Sequence, residues 1–224
     1  MLADSTVPRT RITVPRRRGD LVNRQRLLDL LNELLEKKLI LVSAPAGYGK
    51  TSLLLDFVST TELPVCWYTI NALDIEPQRF IANLIAAISL RFPGFGQRTR
   101  AAFQNFSSNL DSNYIATTLI NDLYENVSEH FIIVLDDFHL VNDNPQITNF
   151  MSRFIQDVDE NCHLIVTSRT LLSLPFLPMM VARSEVGGLS FEELAFRIDE
   201  IQQLYLQNQN HLLTREDAGK IFEK

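Results

Sequence analysis

Leu27, Leu28, Leu31, Leu34 and Leu35 recur at helical spacing in NRQRLLDLLNELLEKK, residues 23–38, with Asn23 placed to cap the first turn. The pattern then changes. LILVSA, residues 39–44, is a short unbroken apolar run bounded by turn residues, as expected of a strand buried on both faces. The same alternation continues down the chain. TSLLLDFVST (51–60) predicts a helix, PVCWYTI (64–70) a strand, and PQRFIANLIAAISLRF (77–92) and YIATTLINDLYENVSE (114–129) two helices. FIIVLD (131–136) predicts a strand, QITNFMSRFIQDV (146–158) a helix and HLIVTS (163–168) a strand, with a further strand near VARSEV (181–186). Strands separated by helix-length segments predict an α/β fold, with a parallel sheet covered by helices on both faces.

Two segments break the rhythm. Residues 93–113, PGFGQRTRAAFQNFSSNLDSN, are rich in Gly, Ser and Asn and read as a mobile excursion. Residues 171–180, LLSLPFLPMM, are unusually apolar for a connection with two prolines. They are either a loop folded onto its own core or a docking surface for another domain or another copy of the chain. After Ser190 the composition turns helical, and Thr214 followed by Asp217 resembles a capping pair. The last helical pattern carries no stop signal, so the element is expected to continue in a longer parent chain.

Composition narrows the class. The 224 residues are 46% hydrophobic and 21% charged, ordinary globular values, and suffice for one α/β domain or one domain with part of a second. A net charge of −6 argues against a body that holds nucleic acid by its overall field. The exception is local: Arg9, Arg11, Arg16, Arg17 and Arg18 make the start basic. That arm either touches DNA, a partner or phosphates, or is a solvated or docked terminus. Cys66 and Cys162 lie in apolar strand-like runs and read as reduced core thiols of a cytoplasmic protein. No apolar run is long enough to span a bilayer, so no membrane partner is expected.

The chemistry is concentrated in LVSAPAGYGKTS, residues 41–52, which ends as the phosphate-loop pattern G-x-x-x-x-G-K-[ST] requires but begins with Ala44. Gly47 and Gly49 permit the tight turn that points backbone N–H groups at phosphates, at the positive end of a helix. Lys50 would reach the β- and γ-phosphates, and Thr51 would offer a hydroxyl to Mg²⁺. Ala44 lies at the strand end, where a small residue with negative φ suffices. The match follows an apolar strand and opens a helix. Downstream, FIIVLDD delivers Asp136 and Asp137 at a strand's carboxyl end, where such sheets bind ligands. Asp136 is placed to hold Mg²⁺ through water, and Asp137 to orient or deprotonate an attacking water. If HLIVTS lies beside the loop strand, Arg169 could sense the γ-phosphate; a surface ion pair is its other reading. His139 reads as a turn histidine.

With DLVNRQRLLDLL, LILVSAPAGYGKTSLL, WYTINALDIEPQRFIANLIAAI, FIIVLDDFHLV and HLIVTSRT in this order, the chain resembles the nucleotide-binding domain of signal-transduction ATPases with numerous domains (STAND). The likeness is to the MalT-type branch, often joined to LuxR-type DNA-binding regions, and it runs from about Asp20 to the end. Ala44 looks typical of that branch. The resemblance implies a P-loop NTPase three-layer sandwich with a five-stranded parallel sheet. It divides the chain into an N-terminal arm (1–19), an NB-ARC/NACHT-like core (20–189) and the beginning of a helical subdomain (190–224). It also implies that the strand carrying Arg169 lies between those of the phosphate loop and the acidic pair. Leu21, Val22 and Arg24 would lie near the adenine, and Ala46, Gly47, Tyr48, Gly49, Lys50, Thr51 and Ser52 would surround the phosphates.

The function these features imply is an ATP/ADP- and Mg²⁺-dependent switch that hydrolyses slowly, because Asp137 is shorter than glutamate, and that self-associates in the ATP state of a longer protein. DNA would be reached only through an effector domain outside this chain. A motor-type ATPase and a binding-only nucleotide scaffold are the alternatives.

Overall fold

A computed structural model of the chain describes residues 7–17, 22–105, 111–209 and 212–222. Five strands, β1 (Leu39–Ser43), β2 (Val65–Thr69), β3 (Phe131–Asp136), β4 (Cys162–Ser168) and β5 (Val186–Leu189), form one parallel sheet in the order β2-β3-β4-β1-β5. Among the described residues ten α-helices accompany it: α1 (Gln25–Leu34), α2 (Lys50–Thr60), α3 (Pro77–Arg91), α4 (Gln97–Asn105), α5 (Ser112–Asn126), α6 (Pro145–Asp157), α7 (Leu177–Ala182), α8 (Phe191–Leu194), α9 (Ile198–Gln209) and α10 (Arg215–Phe222).

The unbroken apolar runs are explained by a sheet covered on both sides. Along β3, Phe131, Ile133 and Leu135 join the core shared with α3, α5 and α6, while Ile132 and Val134 join the core built from α1 and α2. Successive side chains of a strand point to opposite faces, so both sets must be apolar. This three-layer α/β arrangement is the one the patterning predicts. It places β4 between β1 and β3, bringing the ends of those three strands together. Cys66 and Cys162 are buried free thiols, and burial pushes that of Cys66 up to about 12.

The arm is docked. Arg11 donates to the Thr69 carbonyl at 2.9 and 3.2 Å and pairs with Asp74, in the turn after β2, while Arg17 pairs with Asp56 of α2. Arg9 and Arg16 are exposed, and Arg18 lies outside the described residues. No helix of the described residues is long and apolar enough to cross a membrane.

Several local expectations need correction. Asn23 does not cap α1; Arg24 occupies the N-cap position without a side-chain cap bond. The excursion at 93–113 contains α4, although residues 106–110 lie outside the described residues. The last strand starts where VARSEV ends, at Val186, because Val181 and Ala182 complete α7. Segment 171–180 folds largely onto its own core through Leu172, Leu174, Phe176 and Met180, leaving Leu171 exposed. The Thr214–Asp217 cap does form: Thr214 Oγ1 donates to the Asp217 carboxylate at 2.7 Å and accepts from the Asp217 amide at 3.1 Å.

Candidate nucleotide-binding site

The loop between β1 and α2 is shaped by two glycines. Gly47 and Gly49 have φ of 90° and 76°, where a side chain is strained, and a Cβ built on either meets nothing within 4 Å. The loop therefore borders open space. Ala44 needs no such freedom, since it is buried at the strand end and its φ is not positive. At the other side of the loop, the Leu53 amide reaches back to the Gly49 carbonyl at 2.8 Å. The amides of Lys50, Thr51 and Ser52 ahead of it are the unpaired donors that open a helix, at the positive end of its dipole.

Lys50 has no carboxylate partner among the described residues. Its Nζ donates to the Ala44 and Pro45 carbonyls at 2.7 and 3.0 Å. Burial lowers its pKa; Asp137 and Asp136 oppose that shift and the Arg169 charge adds to it.

Asp136 ends β3 and is 2% exposed. The hydroxyl of Thr51 donates to its two oxygens at 3.0 and 3.2 Å, and that of Thr167, on β4, donates to Oδ1 at 2.6 Å. No basic side chain among the described residues pairs with it directly. Burial pushes its carboxyl above the ordinary range and the neighbouring Asp137 charge adds to this, while the two hydroxyls and Lys50 pull the other way. Asp137 follows with φ 63°, its amide donating to Thr167 Oγ1 at 2.8 Å. His139 Nδ1 stands 3.7 Å from the Asp137 carboxylate and is buried without a hydrogen bond. Burial lowers the pKa of His139; Asp137 opposes this, and Arg169 and Lys50 reinforce it. Arg169 is exposed immediately after β4, with no ion-pair partner among the described residues. Its charge is felt at both Lys50 and His139. Lys50, Thr51, Asp136, Asp137 and Arg169 thus converge at one end of the sheet.

No family model matches the chain. The HTH-type transcriptional regulator MalT of Yersinia pestis (strain Pestoides F) is 31% identical over 219 residues, 96% of this chain and 23% of the relative. MalT of Yersinia enterocolitica serotype O:8 / biotype 1B is 32% identical over 200 residues, 88% of this chain and 21% of the relative. Among solved structures, a STAND protein with a tetratricopeptide repeat sensor from Pyrococcus horikoshii has a TM-score of 0.63 at 20% identity, covering 93% of this chain and 28% of that one. A Walker-type ATPase of Pyrococcus abyssi has a TM-score of 0.53 at 19% identity, covering 92% and 64%. Over nearly its whole length the chain is MalT-like, and it has the α/β fold of P-loop NTPases. It spans 23% of the length of the first of these curated relatives.

Beside the loop, the MalT-like domain has a cavity of about 580 Å³ with Ala46, Gly47 and Tyr48 on one wall and Phe196, Leu204 and Tyr205 from the helical segment on another. Val22 and Arg24 are buried but do not line it. The Arg24 guanidinium donates to the Ala195 carbonyl at 2.9 Å and to Glu200 at 3.0 Å, and lies 4.3 Å from the centroid of the Phe196 ring. Arg24 therefore braces a wall of the cavity. Leu21 lies outside the described residues, and Ser52 is half-buried in the first turn of α2. A cavity of about 630 Å³ at the amino ends of the strands, between Lys37, Lys38, His130 and His163, is remote from this chemistry.

Two participants escaped the sequence reading, Thr167 and Glu200. Thr167 sits one residue inside the strand end that carries Arg169, and strand adjacency was the only signal available for it. Glu200 offered none.

Proposed function

We propose that this domain binds ATP with Mg²⁺ and acts as a slowly hydrolysing switch, resting with ADP and becoming competent to self-associate with ATP. The observation that carries the reading is the meeting of Thr51 and Asp136 at 3.0 Å, at the start of the helix opened by the Gly47–Gly49 loop. A hydroxyl and a carboxylate are hard oxygen donors that suit Mg²⁺, which takes few protein ligands and completes its shell with water and phosphate. Among the described residues no group of three or more His, Cys, Asp and Glu forms a separate metal cage.

Bound Mg²⁺ would supply charge neutralisation for the β- and γ-phosphates. Lys50 exchanges its two carbonyl partners for phosphate oxygens, and the amides from Gly47 to Thr51 donate to the same anion. Arg169 reads the γ-phosphate, giving the differential affinity that any switch requires. Asp137 orients the attacking water and accepts its proton, slowly because its side chain is short. The aromatic and aliphatic walls beside Tyr48 receive the base. The MalT relatives are described as HTH-type transcriptional regulators. By that likeness, the domain serves a cytoplasmic regulator that reaches DNA through an effector segment elsewhere in its parent protein.

Thermal melting with ATP, ADP and a non-hydrolysable analogue, each with Mg²⁺, tests the proposal. At equal concentrations all three should stabilise the wild type, ATP more than ADP, a ligand at a hundredfold excess over its own Kd contributing about 2.7 kcal/mol. Lys50→Ala should lose most of the shift, and Arg169→Ala should equalise ATP and ADP. Absence of a shift with any purine triphosphate overturns nucleotide binding. Equal shifts for ATP and ADP in the wild type favour a passive scaffold, and turnover of tens per second an ordinary ATPase.

A further inference from the structure

β4 serves the candidate site twice, once through Arg169 beyond its end and once through Thr167 within it. Thr167 is 0% exposed, and the direction of its hydrogen bonds is fixed by valence. The Asp137 amide can only donate, so Thr167 Oγ1 accepts from it at 2.8 Å and directs its single proton to Asp136 Oδ1 at 2.6 Å. One hydroxyl therefore holds both acids, one by its carboxylate and the other by its backbone. Asp137 needs such a restraint: its φ of 63° lies in the left-handed region, which crowds the Cβ of a non-glycine residue. Asp136 needs it as well, because the only other hydroxyl on it among the described residues belongs to Thr51. Were Thr51 to turn from Asp136 toward a metal, Thr167 would remain as the donor on Oδ1.

We propose that Thr167 is a positioning residue that locks the metal-facing and water-orienting carboxylates into one geometry and ties that geometry to the strand carrying Arg169. This rests on the nucleotide reading above. A shift of the β4 tip at the γ-phosphate is transmitted two residues back to both acids, so recognition of ATP and organisation of the metal side are one event.

The test uses the isolated chain with Thr167→Val, which keeps the shape and removes both bonds, and Thr167→Ser, which keeps the hydroxyl. ATP affinity is measured with Mg²⁺ and with EDTA, ADP affinity with EDTA, and ATP hydrolysis in a single turnover. The metal-dependent gain in ATP affinity should fall about tenfold or more in Thr167→Val, as for other residues that orient metal ligands, and single-turnover hydrolysis should fall with it. ADP affinity in EDTA should stay within about twofold, since the phosphate loop is untouched, and Thr167→Ser should keep the metal-dependent gain within about twofold of wild type. A wild-type metal gain in Thr167→Val overturns the proposal, and so does a Thr167→Ser variant that melts normally yet has lost that gain. If Thr167→Val gives no cooperative melt, Thr167→Ala replaces it under the same criteria. Failure of the nucleotide reading is separate: the wild type itself would then bind no ATP.

Discussion

Asp74 and Asp136 lie beyond or at the ends of neighbouring strands and are equally hidden from solvent, yet they are provided for in opposite ways. Around Asp74 the chain gathers Arg11, Arg79 at 3.0 Å, Asn83 at 3.1 Å and the Asn71 amide at 2.9 Å. Burial alone would raise its carboxyl, but Arg11, the Asn71 amide and Tyr68 hold it below the ordinary 3.8. Asp136 is hydrogen-bonded by two neutral hydroxyls, and burial holds its carboxyl above that value. Glu200 belongs with Asp74: burial is outweighed by Arg24, Arg26 and the Arg197 amide. A buried carboxylate given guanidinium partners closes a structural joint. One left with hydroxyls keeps a negative charge in reserve, and here it does so where the loop, Lys50 and Arg169 converge.

Asp74→Asn should break this contrast most visibly. It leaves Arg11 and Arg79 without a counter-charge and should lower unfolding free energy by about 3 kcal/mol in chemical denaturation, the low end for a buried pair because Arg79 is partly exposed. A loss under about 1 kcal/mol would remove Asp74 from the structural class. Glu200→Gln should cost about 2 kcal/mol, since the charge-assisted bonds from Arg24 and Arg26 become neutral ones. Hydrogen exchange should localise the loss, with α9 amides exchanging faster and β3 amides unchanged; a uniform change would show that Glu200 supports the whole domain.

The smallest effect and the sharpest sign belong to Asp136→Asn. Its stability without ligand should lie within about 1 kcal/mol of wild type at pH 7, on the stabilising side. Because the folded-state pKa of Asp136 is raised, its favourable contribution is complete below 3.8 and is lost as pH rises through the folded value. The advantage of Asp136→Asn should therefore shrink as pH falls from 7 toward 4. The deficit of Asp74→Asn should persist over that range and close only below 3.8, where the lowered carboxyl protonates. Melting temperatures against pH for the three proteins give both curves, and parallel curves would dissolve the distinction.

The part of the site written in consecutive residues could be read from the chain. Residues 44–52 share one turn, Asp136 and Asp137 end one apolar run, and Arg169 follows another. Buried parallel strands announce themselves as unbroken apolar runs, which is why four of the five strands were legible. β5 was legible only as far as Val186, because Gly187 and Gly188 have low strand propensity and extend there through pairing with β1. α4 was hidden by its polar composition; its Thr99 hydroxyl donates to Asp122 of α5 at 2.9 Å, a contact local pattern cannot show. Arg24 was assigned toward the base, but its partner Glu200 lies 176 residues away. Thr167 meets Asp136 across 31 residues only because β4 inserts next to β3.

The docked arm has a consequence for how the molecule behaves among its neighbours. An open sheet exposes two borders on which a foreign chain could add itself as one more strand. On one border the final carbonyl of β2 already receives Arg11; on the other, β5 offers only four residues, two of them glycine. Fibrous growth from either side would begin on a poor template.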